Sequence, residues 1–478
     1  MDLRLPAPLQ ETGRTPSREE RLLGLFKVWS VIRYLDPHVE LCDMDWSACL
    51  AEWIPKVEEA ESLLAYARTL RMLTAHLHDN NVFYFFPNLP ESQSLPVFFA
   101  WVEGKIIVTD VMEHPQISQI AQIGASDSGP DHLIPRSLDP SVPSLQVGDE
   151  VVEFDGKTVQ ELVTEHRLQV SYSTEGAFYQ RMCEMLVLGQ AGSEVKLVIR
   201  RKGVKGQRDK GIESGEAPVS DSGPSIPRSL DPSIPCLSLC LKRTLTREAR
   251  IAYSARRGES SGYRVLEENV GYMDLGRLAS LREFERAFEA LRGTNGLIVD
   301  IRRHPGFTMQ LALASRLSDR PVKSAIYEIR VVSGFDSQEQ VVSTGQYDVQ
   351  PDAKAHYGGP VVVLVNEKTI GSAEDVCIYL KNAGRGTFVG GTTAGCNGNR
   401  TWISLPGGGR LWFTGMRVKF GDGSRFQNVG IIPDVQAAPT VEGVRAGRDE
   451  ILEKGIEVLR SLVHRPSSEA SQPEGNDR

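Results

Sequence analysis

Three polar segments that contain glycine each follow a run of apolar residues typical of a buried strand. They are residues 300–306, 366–375 and 389–398. In open α/β sheets, sites form at the carboxyl ends of parallel strands. Ser372 directly precedes a helical stretch, so a nucleophilic hydroxyl there would have its oxyanion close to backbone N–H groups at a helix N-terminus. On the residues alone, Ser372 is equally well interpreted as the N-cap of that helix.

These segments belong to a region that alternates between strand and helix patterns from about residue 250 onwards. Strands are predicted at residues 271–275, 296–301, 359–366 and 387–390, and helices at residues 281–291 and 373–383. Alternation of this kind predicts an α/β layer domain with a parallel sheet. Residues 466–478 are rich in Ser, Glu, Pro and Gly and are predicted to be a disordered tail.

The first part of the chain has the periodicity of amphipathic helices. Ser17 and Glu20 have the spacing of a capping box, and apolar residues recur every three or four positions up to Leu35. A second helix is predicted over residues 62–77. We therefore expect a small helical domain at the N-terminal end.

Short β-rich runs follow at residues 97–101, 105–109, 150–154 and 195–200. Residues 145–157, LQVGDEVVEFDGK, resemble the Gly-Asp strand-and-turn segment of PDZ domains. That segment packs beside a groove in which a peptide can add as an extra strand. Any small β domain with a Gly-Asp turn is the alternative interpretation.

A motif rich in Pro and Ser occurs twice, at residues 126–141 and 220–233. Two distant copies are too few for a stacked repeat architecture, and their composition predicts inserted surface loops. A recognition motif present twice is the alternative. The first copy lies where a PDZ carboxylate-binding loop would approach the groove.

Composition narrows the functional classes. Asp and Glu number 62 against 54 Lys and Arg, a formal charge of −8, so we expect neither a nucleic-acid nor an anionic-membrane partner. The apolar run at residues 361–365 is far too short to span a bilayer. The first 16 residues lack an apolar signal core, which favours a cytoplasmic location. The seven cysteines are odd in number and lack zinc-site spacing, so we expect reduced structural thiols and no metal.

The order of motifs resembles peptidase family S41, the tail-specific or C-terminal-processing proteases, including the tricorn-core-like branch. The matching segments are residues 26–38, 271–275, 297–302, 369–374, 391–395, 405–408, 413–416 and 422–434. The resemblance covers about residues 18–445 apart from the inserted repeats.

It implies a multidomain α+β fold with a helical N-terminal domain, a PDZ-like β domain and an α/β domain of the ClpP/crotonase type. The expected boundaries are 1–17 for a disordered N-terminus, 18–90, 91–239 with inserts at 126–143 and about 205–235, 240–445, and 446–478 for a C-terminal helix and tail.

The resemblance also implies peptide-bond hydrolysis in protein substrates by a serine nucleophile, without a cofactor. Aligning the family acid with Glu374 places the nucleophile position at Gly371, with Ser372 one residue later. Cys396 stands where one branch has a lysine base, and Asn81 stands where the other has a histidine. An asparagine cannot take the proton of a serine at neutral pH.

Substitute residues can be named for each role that the family requires. They are Ser372 as nucleophile, His78 or alternatively His304 as base, Glu374 as an orienting acid, and the amides of Gly306 and Ala373 as oxyanion donors. Two functions stay open: a serine-type endopeptidase, or a catalytically inactive relative that binds peptides or acts as a scaffold. A different hydrolase on the same scaffold is a weaker third.

Deleting residues 220–233 tests the interpretation of the repeats. Because their proline content excludes both helix and central strand, we expect the deletion to lower the midpoint of urea unfolding only slightly. A loss of several kcal/mol in the free energy of unfolding would show that the repeat belongs to the core.

Overall fold

The computed structural model describes residues 14–86, 89, 92–112, 144–202, 236–256, 262–304, 307–331 and 341–464. Within these ranges, no helix combines the length and the apolar character that crossing a membrane requires.

Three helices form the N-terminal layer: α1 (Arg18–Leu35), α2 (Leu50–Glu58) and α3 (Leu63–Ala75). The predicted capping box starts α1, because the Ser17 hydroxyl accepts the Glu20 N–H and the Glu20 carboxylate accepts the Ser17 N–H. Helices α1 and α3 confirm the two predicted helices, whereas α2 was not predicted. A short strand, β1 (Phe83–Phe85), follows them.

The next unit is a six-stranded antiparallel sheet with two helices. Its elements, together with a small two-stranded pair, are β2 (Ser92–Ser94), β3 (Val97–Val102), β4 (Lys105–Val111), β5 (Glu150–Phe154), β6 (Lys157–Thr158), α4 (Val159–Arg167), α5 (Glu175–Leu186), β7 (Leu188–Gln190), β8 (Glu194–Arg200) and β9 (Cys236–Lys242). The strand order is β3-β4-β5-β8-β9, with β6 beside β5, and β2 pairs with β7.

Four of these strands, β3, β4, β5 and β8, confirm the predicted β-rich runs. Helices α4 and α5 were not predicted; they bury Leu162, Phe178 and Met182 against the sheet. The expected domain boundary at residue 239 is wrong, because it falls inside β9, which pairs with β8 along its whole length. The unit therefore extends at least to Lys242.

The third unit is built on a second six-stranded sheet. Its elements are α6 (Arg247–Arg256), β10 (Tyr263–Leu266), β11 (Val270–Asp274), α7 (Leu281–Leu291), β12 (Gly296–Asp300), α8 (Phe307–Leu317), β13 (Val322–Lys323), β14 (Ile326–Val331), β15 (Val341–Gly345), β16 (Asp348–Val349), β17 (Val361–Val365), α9 (Ser372–Asn382), β18 (Thr387–Gly390), β19 (Arg400–Leu405), β20 (Gly409–Thr414), β21 (Arg417–Lys419), β22 (Val435–Gln436), α10 (Val441–Arg445) and α11 (Glu450–Val463).

The large sheet has the order β10-β11-β12-β17-β18-β22, and all of its strands run parallel except β10. Strand β17 is apolar at every position because both faces of the sheet are covered by helices. Val361, Val363 and Val365 pack with α7, α8 and α9, whereas Val362 and Leu364 pack with α11 on the other face. This confirms the predicted α/β layer domain and the predicted C-terminal helix.

A small sheet joins the two ends of the chain and corrects the expected domain division. Strand β1 pairs antiparallel with β20, which also pairs with β19. Leu405, Leu411 and Phe413 are buried in the same core as the N-terminal helices. Residues 18–90 therefore do not form a separate helical domain, since their core is completed by residues more than 300 positions later in the chain.

Several predictions concern segments outside the described residues: both copies of the repeat and the tail at 466–478. Of the expected disordered N-terminus, residues 14–17 are described, and Arg14 pairs with Glu20 at 2.5 Å. All seven cysteines lie in described parts and are free thiols.

Because the N-terminal helices and the small sheet share one core, we expect Phe413→Ala to lower the free energy of unfolding strongly. The ring is fully buried, so its removal should lower the free energy of unfolding by about 3–5 kcal/mol. Urea unfolding followed by far-UV circular dichroism measures this. Phe85→Ala, at a ring that is 43% exposed on the opposite face of the same small sheet, is the control and should cost less than about 1 kcal/mol. Equal effects would contradict the shared core.

Candidate active site

The three polar segments meet at one edge of the large sheet, because β12, β17 and β18 are parallel neighbours. Thr369, fully buried, links them. Its hydroxyl accepts the Asn366 N–H at 3.1 Å and donates to the Ile301 carbonyl at 3.3 Å, while its carbonyl accepts the Ala394 N–H at 2.9 Å. The three segments that the sequence singled out therefore lie together at this edge.

Ser372 is the first residue of α9, and its hydroxyl faces the segment that follows β12. Its Oγ lies 2.9 Å from His304 Nε2, within hydrogen-bond distance. The N-cap of α9 is Gly371, with φ +60° and ψ −119°. The interpretation of Ser372 as a mere N-cap is therefore wrong, and its hydroxyl is available for a histidine.

His78 lies elsewhere. Its Nε2 is 2.9 Å from Asp43 Oδ2, and its ring is edge-on to Tyr172 at 5.5 Å between centroids. His76 Nδ1 takes the other oxygen of Asp43 at 2.6 Å. His78 also lines an open cleft of about 530 Å³ with Thr392 and other residues. Among the described side chains no hydrogen bond joins His78 to Ser372, so the structure brings the second candidate, His304, to the hydroxyl instead.

The Glu374 side chain links the start of α9 to the loop after β18 through four hydrogen bonds. Its Oε1 accepts the Thr393 hydroxyl at 2.6 Å and the Gly395 N–H at 2.7 Å, and its Oε2 accepts the N–H groups of Gly371 at 3.0 Å and Cys396 at 3.2 Å. The side chain is fully buried, and burial raises the pKa of Glu374 to about 8 against the opposing effect of these donors. Glu374 thus holds the loop after β18 against the start of α9, as the orienting role predicts.

The three family positions hold groups with other roles. Apart from Gly371 itself, its chain neighbours and the adjoining helix backbone, no described atom lies within 4 Å of where a Cβ at Gly371 would be, so that turn presents open space. Asn81 donates through Nδ2 to the Thr414 hydroxyl at 3.0 Å, and the Cys396 thiol donates to Asp79 Oδ1 at 3.1 Å. Burial raises the pKa of the Cys396 thiol well above its usual range, so it stays protonated. Asn81 and Cys396 serve a buried polar network.

Of the two predicted oxyanion donors, the amides of Gly306 and Ala373, the structure describes only that of Ala373. Gly306 lies outside the described residues. The Ala373 N–H donates to the Ile370 carbonyl at 3.2 Å, a long bond at the edge of the helix start. A substrate oxygen would have to compete with that carbonyl for the Ala373 amide.

A polar network behind α9 was missed by the sequence analysis. Asp375 accepts the Asn397 side-chain N–H at 2.8 Å and the Tyr327 hydroxyl at 3.4 Å. The Tyr379 hydroxyl lies 3.1 Å from that of Tyr327 and 2.6 Å from that of Tyr347. Asp375 and Asn397 lie in two of the polar segments that the sequence singled out. The tyrosines are scattered along the chain and lie in none of them.

A second cavity, of about 480 Å³, lies between β3 and α5 in the PDZ-like unit. Helix α6 lies beside the start of strand β3, which borders this cavity. Arg250 donates through Nη1 to the carbonyls of Leu95 and Val97 at 3.2 and 3.0 Å, and its guanidinium lies 3.8 Å above the Phe98 ring. A peptide that adds to β3 would therefore meet backbone acceptors already occupied by Arg250.

Comparison with known proteins assigns the two larger units. Residues 269–437 match the model for peptidase family S41, and residues 91–211 match a PDZ domain. A carboxyl-terminal-processing protease of Synechocystis is 26% identical over 171 residues, 35% of this chain and 38% of that protein. A chloroplastic C-terminal processing peptidase of Tetradesmus obliquus is 26% identical over 181 residues, 37% and 36% of the two chains. The matches thus span less than two-fifths of either relative.

Among solved structures, mature CPAF has a TM-score of 0.67 at 15% identity, covering 94% of this chain and 99% of that one. At this identity the likeness shows a shared fold. The resemblance to S41 peptidases with a PDZ-like unit is therefore confirmed at the level of fold and domains.

The Asp375 carboxyl predicts a pH dependence of stability. Burial raises its pKa from 3.8 to about 6, so the folded state keeps a proton that the unfolded chain has lost. That stabilisation is present below about pH 4 and disappears as the pH rises to about 6. Asp375→Asn should therefore gain about 3 kcal/mol in unfolding free energy relative to wild type between about pH 3.5 and pH 7, measured by urea unfolding.

Asp422→Asn serves as the control with the opposite sign. Hydrogen bonds from Ser424, first from its side chain and then from its backbone, lower the pKa of the exposed Asp422. The stability that the Asp422 carboxylate contributes is present above about pH 4 and is lost as the pH falls below that. The variant should therefore lose stability relative to wild type as the pH rises to about 4, with little further change up to about pH 7. A flat profile for Asp375→Asn would contradict the protonated buried carboxyl.

Proposed function

We propose that this chain, which carries a peptidase family S41 domain beside a PDZ domain, hydrolyses peptide bonds in polypeptide substrates with Ser372 as nucleophile and His304 as base. The observation that carries the proposal is the 2.9 Å distance between Ser372 Oγ and His304 Nε2. A base within about 3 Å of the hydroxyl is the first geometric requirement for this chemistry.

The proposed reaction follows from that pair. His304 Nε2 takes the hydroxyl proton as Ser372 Oγ attacks the peptide carbonyl, and the negative charge collects on the carbonyl oxygen. The protonated imidazole then gives its proton to the leaving amine as the C–N bond breaks. Water, deprotonated by the same imidazole, releases the acyl group from Ser372 and restores both residues.

The helix start supports the charged intermediate. Ser372 is the first residue of α9, so the developing oxyanion would form close to the positive end of the helix dipole. Glu374 acts as a positioning residue, because its four hydrogen bonds fix Gly371 and the loop after β18, which flank the hydroxyl.

A second candidate function is binding of polypeptides without cleavage. Open space at Gly371 and the structural use of Asn81 and Cys396 favour it, because the positions that carry the family's chemistry hold groups unable to act as nucleophile or base. In that case the Ser372–His304 pair is a surface hydrogen bond.

Labelling with a serine-directed fluorophosphonate separates the two functions. The proposal expects covalent labelling of the wild type and no labelling of Ser372→Ala. His304→Ala should slow both labelling and cleavage of an unfolded protein substrate by about 10²–10⁴-fold, the usual value of general-base assistance.

His78→Ala is the matched control, since that ring pairs with Asp43 instead of Ser372. It should leave both rates within about threefold of wild type. Retained labelling in Ser372→Ala, or an unreactive wild type with the fold intact, would contradict the proposal and favour binding without cleavage.

A further inference from the structure

The small sheet formed by β1, β20 and β19 presents an aromatic face to solvent. Its cross-strand register aligns Trp402, Trp412 and Phe83 in one row, with Phe85 two residues further along β1. Phe83 and Trp412 stack at 4.5 Å, whereas Trp402 is 49% and Phe85 43% exposed. The opposite face packs into the core through Leu411 and Phe413, so these rings are not needed to fill it.

Two arginines share this face. Arg410 places its guanidinium 4.6 Å from the Trp402 ring centroid, and Arg400 lies 5.4 Å from that of Phe83. Both side chains are exposed, and neither has a carboxylate within 4.0 Å among the described residues. In a chain with a formal charge of −8, this pair of cations over aromatic rings, without a carboxylate partner among the described residues, is complementary to an anionic partner.

Among the described strands, β19 is an edge of this sheet. The Gly415 N–H donates to the Asn399 carbonyl, so by alternation the backbone groups of Arg400, Trp402 and Ser404 point away from β20. Lys27 confirms that direction at one end, where its Nζ donates to the Ser404 carbonyl at 2.6 Å. The backbone groups of Arg400 and Trp402 thus face the open side.

This edge begins beside the candidate active site. Asn397, whose side chain donates to Asp375 at 2.8 Å, is three residues before the start of β19. Asp375 is in the same first turn of α9 as Ser372. A segment that runs along β19 would therefore lead towards the loop between β18 and β19 that borders Ser372.

We propose that this aromatic and cationic face docks an extended acidic segment of a polypeptide, which adds as a strand beside β19. Its main chain bonds to Arg400 and Trp402, one aromatic or β-branched side chain lies against Trp402, and its carboxylates face Arg400 and Arg410. A polypeptide fits better than a nucleic acid or a glycan because only a peptide can pair with a strand edge. The inference rests on the proposed function only in regarding the docked segment as a substrate.

Binding can be measured without hydrolysis by using the full chain with Ser372→Ala and fluorescence anisotropy. The probe is a short fluorescein-labelled peptide in which glutamate and phenylalanine alternate. Reversing both charges, with Arg400→Glu and Arg410→Glu, should weaken binding by about tenfold or more. Trp402→Ala should weaken it by about three- to tenfold, and N-methylation of alternate peptide residues should abolish the strand addition.

The matched control reverses two exposed arginines on α7, with Arg282→Glu and Arg286→Glu, and should bind the peptide as tightly as the unreversed protein. All variants should keep the same unfolding midpoint. Unchanged affinity after reversal of Arg400 and Arg410, or full binding of the N-methylated peptide, would overturn the proposal. Tighter binding of single-stranded DNA with the same dependence on these arginines would overturn it in favour of a nucleic-acid surface.

These measurements keep the two proposals separate. Cleavage by the wild type without peptide binding to this face would reject the docking site and leave the peptidase standing. Peptide binding without Ser372-dependent cleavage would reject the peptidase and leave the docking site standing.

Discussion

The buried carboxyl group of Glu374 holds the site together, since four hydrogen-bond donors from two loops converge on it. Burying a carboxyl group is unfavourable unless its oxygens are satisfied, and here each oxygen accepts two bonds. The same bonds fix the Gly371 turn and the loop after β18 in one arrangement. The direction in which the first turn of α9 presents Ser372 depends on that arrangement, and so does the path of the chain into β19.

The elements whose signals are local could be predicted from the sequence. Continuous apolar runs gave β12 and β17, and amphipathic spacing gave α7 with its bounds unchanged. Helix α4 escaped prediction because only Leu162 and Val163 are buried within it, too few to mark a face. Strand β1 has three residues, and its pairing with β20 depends on a partner far along the chain. No local pattern encodes such a contact.

The candidate site also contains residues that the sequence could predict and residues that it could not. Ser372 and the three loops were predicted because parallel strand ends must meet at one edge, whereas Glu374 was taken from the resemblance to family S41. The choice between His78 and His304 could not be made, because it depends on where two loops place their rings and on Asp43 engaging His78. Asn81 and Cys396, which stand where the family resemblance places a base, are both hydrogen-bonded inside the protein. With Asp79 and Thr414 they form a buried network that joins the N-terminal layer to the small sheet.

The pairing of β1 with β20 also governs the order of events during synthesis. Asn81 and its partner Thr414 are 333 residues apart, so a ribosome must make most of the chain before the N-terminal helices can complete their core. Until then, apolar groups such as Tyr84 and Phe86 lack the strand that covers them. Contacts of such long sequence separation slow folding and prolong the exposure of hydrophobic surface. Folding of the N-terminal layer is therefore expected to wait for synthesis of the C-terminal part of the chain.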